Sequence, residues 1–77
     1  MKVQFFTGLQ CSLCDLAQHA LSQVKGAEKL EVEMCNVRDN TDWYHLYCAR
    51  IPVLKRADTG QEIGWPFTTD DLETFFQ

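Results

Sequence analysis

No stretch of this chain approaches the apolar length needed to cross a bilayer, and positive charge is scarce, with seven Lys and Arg against eleven Asp and Glu. The first absence leaves nothing that could span a membrane as a helix. The second, a net charge of −4, removes the basic surface that phosphate backbones and anionic lipids require. No nucleic-acid or membrane partner is therefore expected. Internal repeats, low-complexity tracts and Pro- or Gly-rich linkers are also missing, which excludes arrays and multi-domain chains. The apolar run Val3 to Phe6 is too short for the core of a secretory leader, so the expectation is a cytoplasmic protein. A chain of 77 residues suits one domain, 1–77, with one small site and a monomer as the default.

What is present fits a soluble globular domain: 45% hydrophobic and 23% charged residues lie well away from the disordered class. Four cysteines would staple a small secreted protein. In a reducing compartment, catalytic or metal-binding roles are favoured instead.

Hydrophobic periodicity divides the chain into seven elements. Lys2 to Thr7 favours a strand and stops at Gly8. Leu13, Leu16, Ala17, Ala20, Leu21 and Val24 recur at helical spacing, with Gly26 as a stop. Leu30 to Val37 alternates, burying Leu30, Val32 and Met34 on one face. Asp39, Asn40, Thr41 and Asp42 are N-cap candidates for a helix carrying Trp43, Tyr44, Leu46, Tyr47 and Ala49. Pro52 cannot continue that helix; Val53-Leu54 and Gln61 to Trp65 then flank Ala57-Asp58-Thr59-Gly60 as a hairpin. Thr68 and Asp71 form a capping-box pair, Phe67 can staple onto Leu72, and Leu72, Phe75 and Phe76 dock a last helix. The order is β-α-β-α-β-β-α, an α/β fold with a four-stranded mixed sheet flanked by three helices.

Chemistry concentrates at Gly8-Leu9-Gln10-Cys11-Ser12-Leu13-Cys14, where two cysteines three apart open the first helix. That spacing sets both sulfurs on one side of the first turn. Unpaired amides and the positive end of the helix dipole favour a negative sulfur, which makes Cys11 the candidate nucleophile. Cys14, one turn in, is the candidate resolving thiol, and their small ring suits a disulfide that cycles. Asp15 could accept a proton from Cys14, although the dipole alone explains an acidic residue there. Cys35 and Cys48 read as small core residues, and Trp43, Tyr44 and Tyr47 as core aromatics. His19 and His45 read as surface side chains.

The Cys-x-x-Cys that opens helix one, together with Ile51-Pro52-Val53-Leu54, resembles the glutaredoxin and thioredoxin superfamily over nearly the whole chain. Cys11 to Cys14 as Cys-x-Leu-Cys, Ile51 to Leu54, and Trp65 to Phe67 as Trp-x-Phe are most similar to the small glutaredoxin-like proteins. The resemblance implies a thioredoxin/glutaredoxin-like fold and a thiol-disulfide oxidoreductase with Cys11 and Cys14 as catalytic dithiol. It also implies that Pro52 is cis and faces the cysteines, with Ile51 pairing with substrate backbone. Leu13 and Trp65 are further candidate substrate contacts at the rim.

No bound cofactor is implied. Glutathione is one candidate co-substrate; the expected substrate is a disulfide-containing protein or a glutathione mixed disulfide, and the electron donor either glutathione or a reductase. Typical glutaredoxins have Pro-Tyr where Ser12-Leu13 stand, a basic residue where Leu9 and Gln10 stand, and Gly-Gly where Trp65-Pro66-Phe67 follow Gly64.

Two other readings remain at the level of sequence. A soft-metal domain binding copper or zinc would also use two thiolates at this spacing. Its β-α-β-β-α-β order, however, lacks the helix expected over Thr68 to Gln77. The other is a thioredoxin-fold interaction module whose cysteines are not turned over.

Overall fold

The computed structural model describes residues 1–9 and 11–77. Seven main elements appear in chain order: β1 (Lys2–Thr7), α1 (Ser12–Ser22), β2 (Glu31–Asn36), α2 (Thr41–Tyr47), β3 (Val53–Arg56), β4 (Glu62–Gly64) and α3 (Thr69–Phe75). The sheet order is β2-β1-β3-β4. β1 and β2 run parallel, so their connection must cross over the sheet, and α1 provides that crossover. β3 lies antiparallel to β1 and β4 antiparallel to β3. This is the expected mixed sheet with three helices.

Alternation along β1 divides the core between the two faces of the sheet. Val3 and Phe5 pack with Cys14, Ala17 and Leu21 of α1, Leu54 of β3 and Leu72 of α3. On the opposite face Phe6 packs with Cys35, Val53 and Tyr47 of α2. The Phe6 and Tyr47 rings stack at 4.1 Å, and Trp43 meets Phe6 edge to face. Val3, Phe5, Val53, Leu54 and Leu72 are fully buried, each contributing about 1.5–3 kcal/mol by leaving water.

Local chemistry explains the ends of the elements. Asn40 proves to be the N-cap of α2, its Oδ1 accepting from the amides of Asp42 and Trp43 at 2.9 and 3.2 Å. The reciprocal Thr68–Asp71 capping box is present at α3. Gly60, at φ 76°, turns the hairpin in the left-handed region that favours glycine. Arg56 is buried and grips Asp58 with both ends of its guanidinium. It also donates to the carbonyls of Phe75 and Gln77, which ties α3 to the sheet.

Several expectations need correction. β2 spans Glu31–Asn36 rather than Leu30 to Val37, because the chain tightens into short 3-10 turns at Ala27–Lys29 and Val37–Asp39 on either side. α2 ends at Tyr47, before Ala49, and β4 is only Glu62–Gly64. Val32 and Met34 belong to the face under α1 but stay exposed, since β2 is an edge strand with no strand beyond it. Tyr44 and Leu16 are also exposed. Cys35 is buried, whereas Cys48, at the C-cap of α2, is exposed rather than in the core.

Candidate functional site

β1 ends at Thr7, and the chain reaches α1 through a short connection, so Cys11 stands at the helix N-cap. The Cys14 amide donates to both the Cys11 carbonyl and the Cys11 Sγ, each at 3.1 Å. The Asp15 amide approaches the same carbonyl at 3.4 Å. A backbone donor thus points at the sulfur, and the aligned peptides of α1 lie behind it.

Cys11 and Cys14 form a disulfide, with Cα atoms 5.2 Å apart. Cys11 is half-buried, while Cys14 is 4% exposed and belongs to the core cluster beneath the helix. One sulfur is therefore accessible and the other sheltered.

The second wall comes from the start of β3. Val53 pairs with Phe6 in β1, so Ile51 and Pro52 arrive level with Thr7 and Gly8. Gly8 shows how close this approach is. A Cβ built there would lie 2.9 Å from Cδ1 of Ile51, so the absence of a side chain lets the two segments meet.

Ile51 packs against both core clusters, which places it where the two faces of the sheet join. Its amide donates to the Tyr47 carbonyl at 3.0 Å. Pro52 is fully buried, and the Ile51–Pro52 and Trp65–Pro66 peptide bonds are both cis. The Pro52 carbonyl accepts from the Trp65 amide at 3.1 Å, which brings Trp65 to the same end of the sheet. Trp65 is half-buried and meets Phe67 edge to face.

Of the residues singled out in the sequence, Cys11, Cys14, Ile51, Pro52 and Trp65 thus gather at one end of the sheet. Leu13 lies in the first turn of α1 and is 44% exposed; Leu9 just upstream is 69% exposed. Gln10 lies outside the described residues.

Sequence reasoning did not anticipate the cavity beside the disulfide. About 390 Å³ in volume, it is lined by Thr7, Gly8, Cys11, Ser12, Cys14, Asp15 and Gln18. Helical spacing carried a signal for it: Asp15 and Gln18 follow Cys11 by four and seven residues, and so share its side of α1. Tyr47 was assigned only to the core, yet its hydroxyl also donates to Glu62 of β4, whose other oxygen accepts from Arg50 at 3.2 Å.

Cys35 presents a contrasting thiol. Burial and the neighbouring Glu33 raise its pKa above the ordinary cysteine value, which leaves it largely protonated and unreactive. Among the described residues, no three His, Cys, Asp or Glu side chains are grouped to hold a metal ion.

No curated protein matches the chain. Northeast Structural Genomics target protein XcR50 from X. campestris is similar in its X-ray structure, with a TM-score of 0.82, 28% identity, and coverage of 96% of this chain and 93% of that one. Its solution structure gives a TM-score of 0.82, 29% identity, and coverage of 99% and 92%. Thioredoxin 1 from Thermosipho africanus TCF52B, at 15% identity, shares the fold, with a TM-score of 0.71 over 99% of this chain and 90% of that one. The model of the Glutaredoxin-like domain (DUF836) matches residues 2–77, so the chain, with its cysteine pair at the head of α1, belongs to the glutaredoxin-like family.

Proposed function

We propose that the chain is a thiol-disulfide oxidoreductase in which Cys11 attacks and Cys14 resolves. The observation carrying this reading is the Cys11–Cys14 disulfide at the head of α1, with a backbone amide donating to the more accessible sulfur. In the reduced protein the Cys11 thiolate attacks a substrate disulfide, forms a mixed disulfide and releases the first thiol. Cys14, as thiolate, then attacks the Cys11 sulfur, closes the internal disulfide and releases the second thiol. Two electrons pass from protein to substrate, and a thiol reductant restores the dithiol by the reverse exchanges.

Ile51 and Pro52 supply the wall along which the substrate lies. The Ile51 amide is already engaged by Tyr47, so the group it offers is its carbonyl. Leu13 and Trp65 form an apolar rim, and the protein acts as a cytoplasmic monomer on a disulfide-containing protein or a glutathione mixed disulfide.

Two measurements test the assignment. Cys14→Ser should accumulate a mixed disulfide on Cys11, while Cys11→Ser should give none; the opposite pattern would exchange the roles. Turnover should appear in reduction of a glutathione mixed disulfide with glutathione and its reductase, or in insulin reduction coupled to thioredoxin reductase. Inactivity in both would favour a thioredoxin-fold interaction module without turnover.

A further inference from the structure

Among the described residues, the cavity beside the disulfide carries one ionisable side chain besides the two cysteines, the carboxyl of Asp15. Each of the seven Lys and Arg residues is placed elsewhere. Lys2 opens β1 at the opposite end of the sheet, and Lys25 and Lys29 lie beyond the far end of α1. Lys55 lies within β3 beside Glu62, and Arg56 is committed to Asp58 and the end of α3. Arg50 is held by Glu62. Arg38, the remaining cation, lines a separate cavity with Asn40, Thr41 and Tyr44.

A thiol or disulfide entering next to Cys11 therefore meets the Asp15 carboxylate, and no Lys or Arg side chain lines the cavity to pair with it or with an incoming anion. Glutathione is a net anion with two carboxylates, and this cavity offers neither of them an ionic partner. We infer that Asp15 makes the site select disulfides whose cysteine is flanked by a basic or neutral group, such as a cysteine beside Lys or Arg in a polypeptide, and disfavour anionic glutathione. This rests on the redox reading above and narrows its substrate class.

The exchange chemistry is unchanged: the incoming disulfide takes two electrons from the Cys11/Cys14 dithiol and leaves as two thiols, while the protein becomes the disulfide. Asp15 acts on the approach of the substrate, as a specificity-determining residue. One unit charge at about 7 Å in water changes an encounter by about three-fold. An ammonium arm and a net-anionic arm differ by about two charges, so their rates should separate by about ten-fold at low ionic strength and converge in high salt.

The test mixes the pre-reduced protein with cystamine, hydroxyethyl disulfide or oxidised glutathione. Oxidation is followed by acid quench, alkylation and mass spectrometry. Each rate is divided by that of dithiothreitol with the same disulfide, which removes the probe's intrinsic reactivity. Comparing ratios between probes also cancels any effect of Asp15 on the nucleophile itself.

The expected order is cystamine, then hydroxyethyl disulfide, then oxidised glutathione. Asp15→Asn should shrink the cystamine-to-glutathione ratio by about ten-fold, and Asp15→Glu should retain it. Reaction with all three in no order of charge, or a ratio insensitive to salt in the unmodified protein, would overturn the selectivity and leave the redox reading standing. Failure to react with any of them would overturn both.

Discussion

Tyr47 offers a quantitative test of how the wall opposite the cysteines is held. Its ring stacks on Phe6, its hydroxyl donates to Glu62, and its carbonyl accepts from the Arg50 and Ile51 amides. One residue thus ties α2 to β4 and fixes the approach to Pro52. Tyr47→Phe keeps the ring and removes only the hydroxyl. A hydrogen bond to a charged group contributes about 1.5–3 kcal/mol. Since Glu62 keeps Arg50 and is partly exposed, a loss of about 2 kcal/mol is expected.

The ionisation of Tyr47 adds a pH-dependent readout of the same hydroxyl. Burial first, then the hydrogen bond to Glu62 and its charge, push the phenol up to about 12 from 10. The folded state therefore holds a proton that the unfolded chain releases above pH 10, and stability falls as pH rises from about 10 to 12. At 1.36 kcal/mol per unit, two units set an upper bound of about 3 kcal/mol on the stability lost over that range, with burial the largest contributor and the hydrogen bond to Glu62 the next.

Urea unfolding of both proteins at neutral pH and at steps up to pH 12 measures this. At about 1 kcal/mol per molar urea, the neutral midpoints should differ by roughly 2 M and the gap should close towards pH 12. The cysteines titrate in both proteins and cancel from the difference. Equal midpoints at neutral pH, or a gap that persists undiminished at pH 12, would refute the reasoning.

Other consequences follow from the same geometry. In the reduced protein, Cys11 should react with iodoacetamide at lower pH than Cys14, as read by peptide mapping; equal rates would remove the helix-terminus argument. Gly8→Ala forces Cδ1 of Ile51 aside, and because that atom ends a flexible side chain the stability cost should be under about 1 kcal/mol. The exchange rate should nevertheless fall several-fold, as measured with hydroxyethyl disulfide. Leu72→Ala empties a fully buried position beneath α3 and should cost about 3 kcal/mol in urea unfolding. As pH falls, Glu62, whose pKa is lowered chiefly by the Tyr47 hydroxyl and then by Arg50, should protonate and withdraw part of its support. Glu62→Gln should flatten that acid limb of the stability curve.

The sequence by itself determined the element order and the position of the cysteine pair. These depend on near-neighbour physics: apolar spacing along α1, a two-residue gap between Cys11 and Cys14, the Thr68–Asp71 cap, and a proline at position 52 that no helix can run through. Where the reading went wrong, distant parts of the chain decided. Cys48 and Tyr44 have helical surroundings that suit a core, but α2 docks on Phe6 through Trp43 and Tyr47, which leaves the adjoining positions 44 and 48 facing outward. Val32 and Met34 alternate correctly yet remain exposed, because sheet order leaves β2 at an edge.

Only the tertiary structure brought Ile51 against Gly8, joined Tyr47 to Glu62, and left the cavity that holds Asp15 without a Lys or Arg in its lining. Register between β1 and β3 and the shape of the space beside a disulfide arise from contacts between residues far apart in the chain. No local pattern encodes such contacts, so the cysteine pair and its place at the head of a helix were legible in sequence while the space beside it was not.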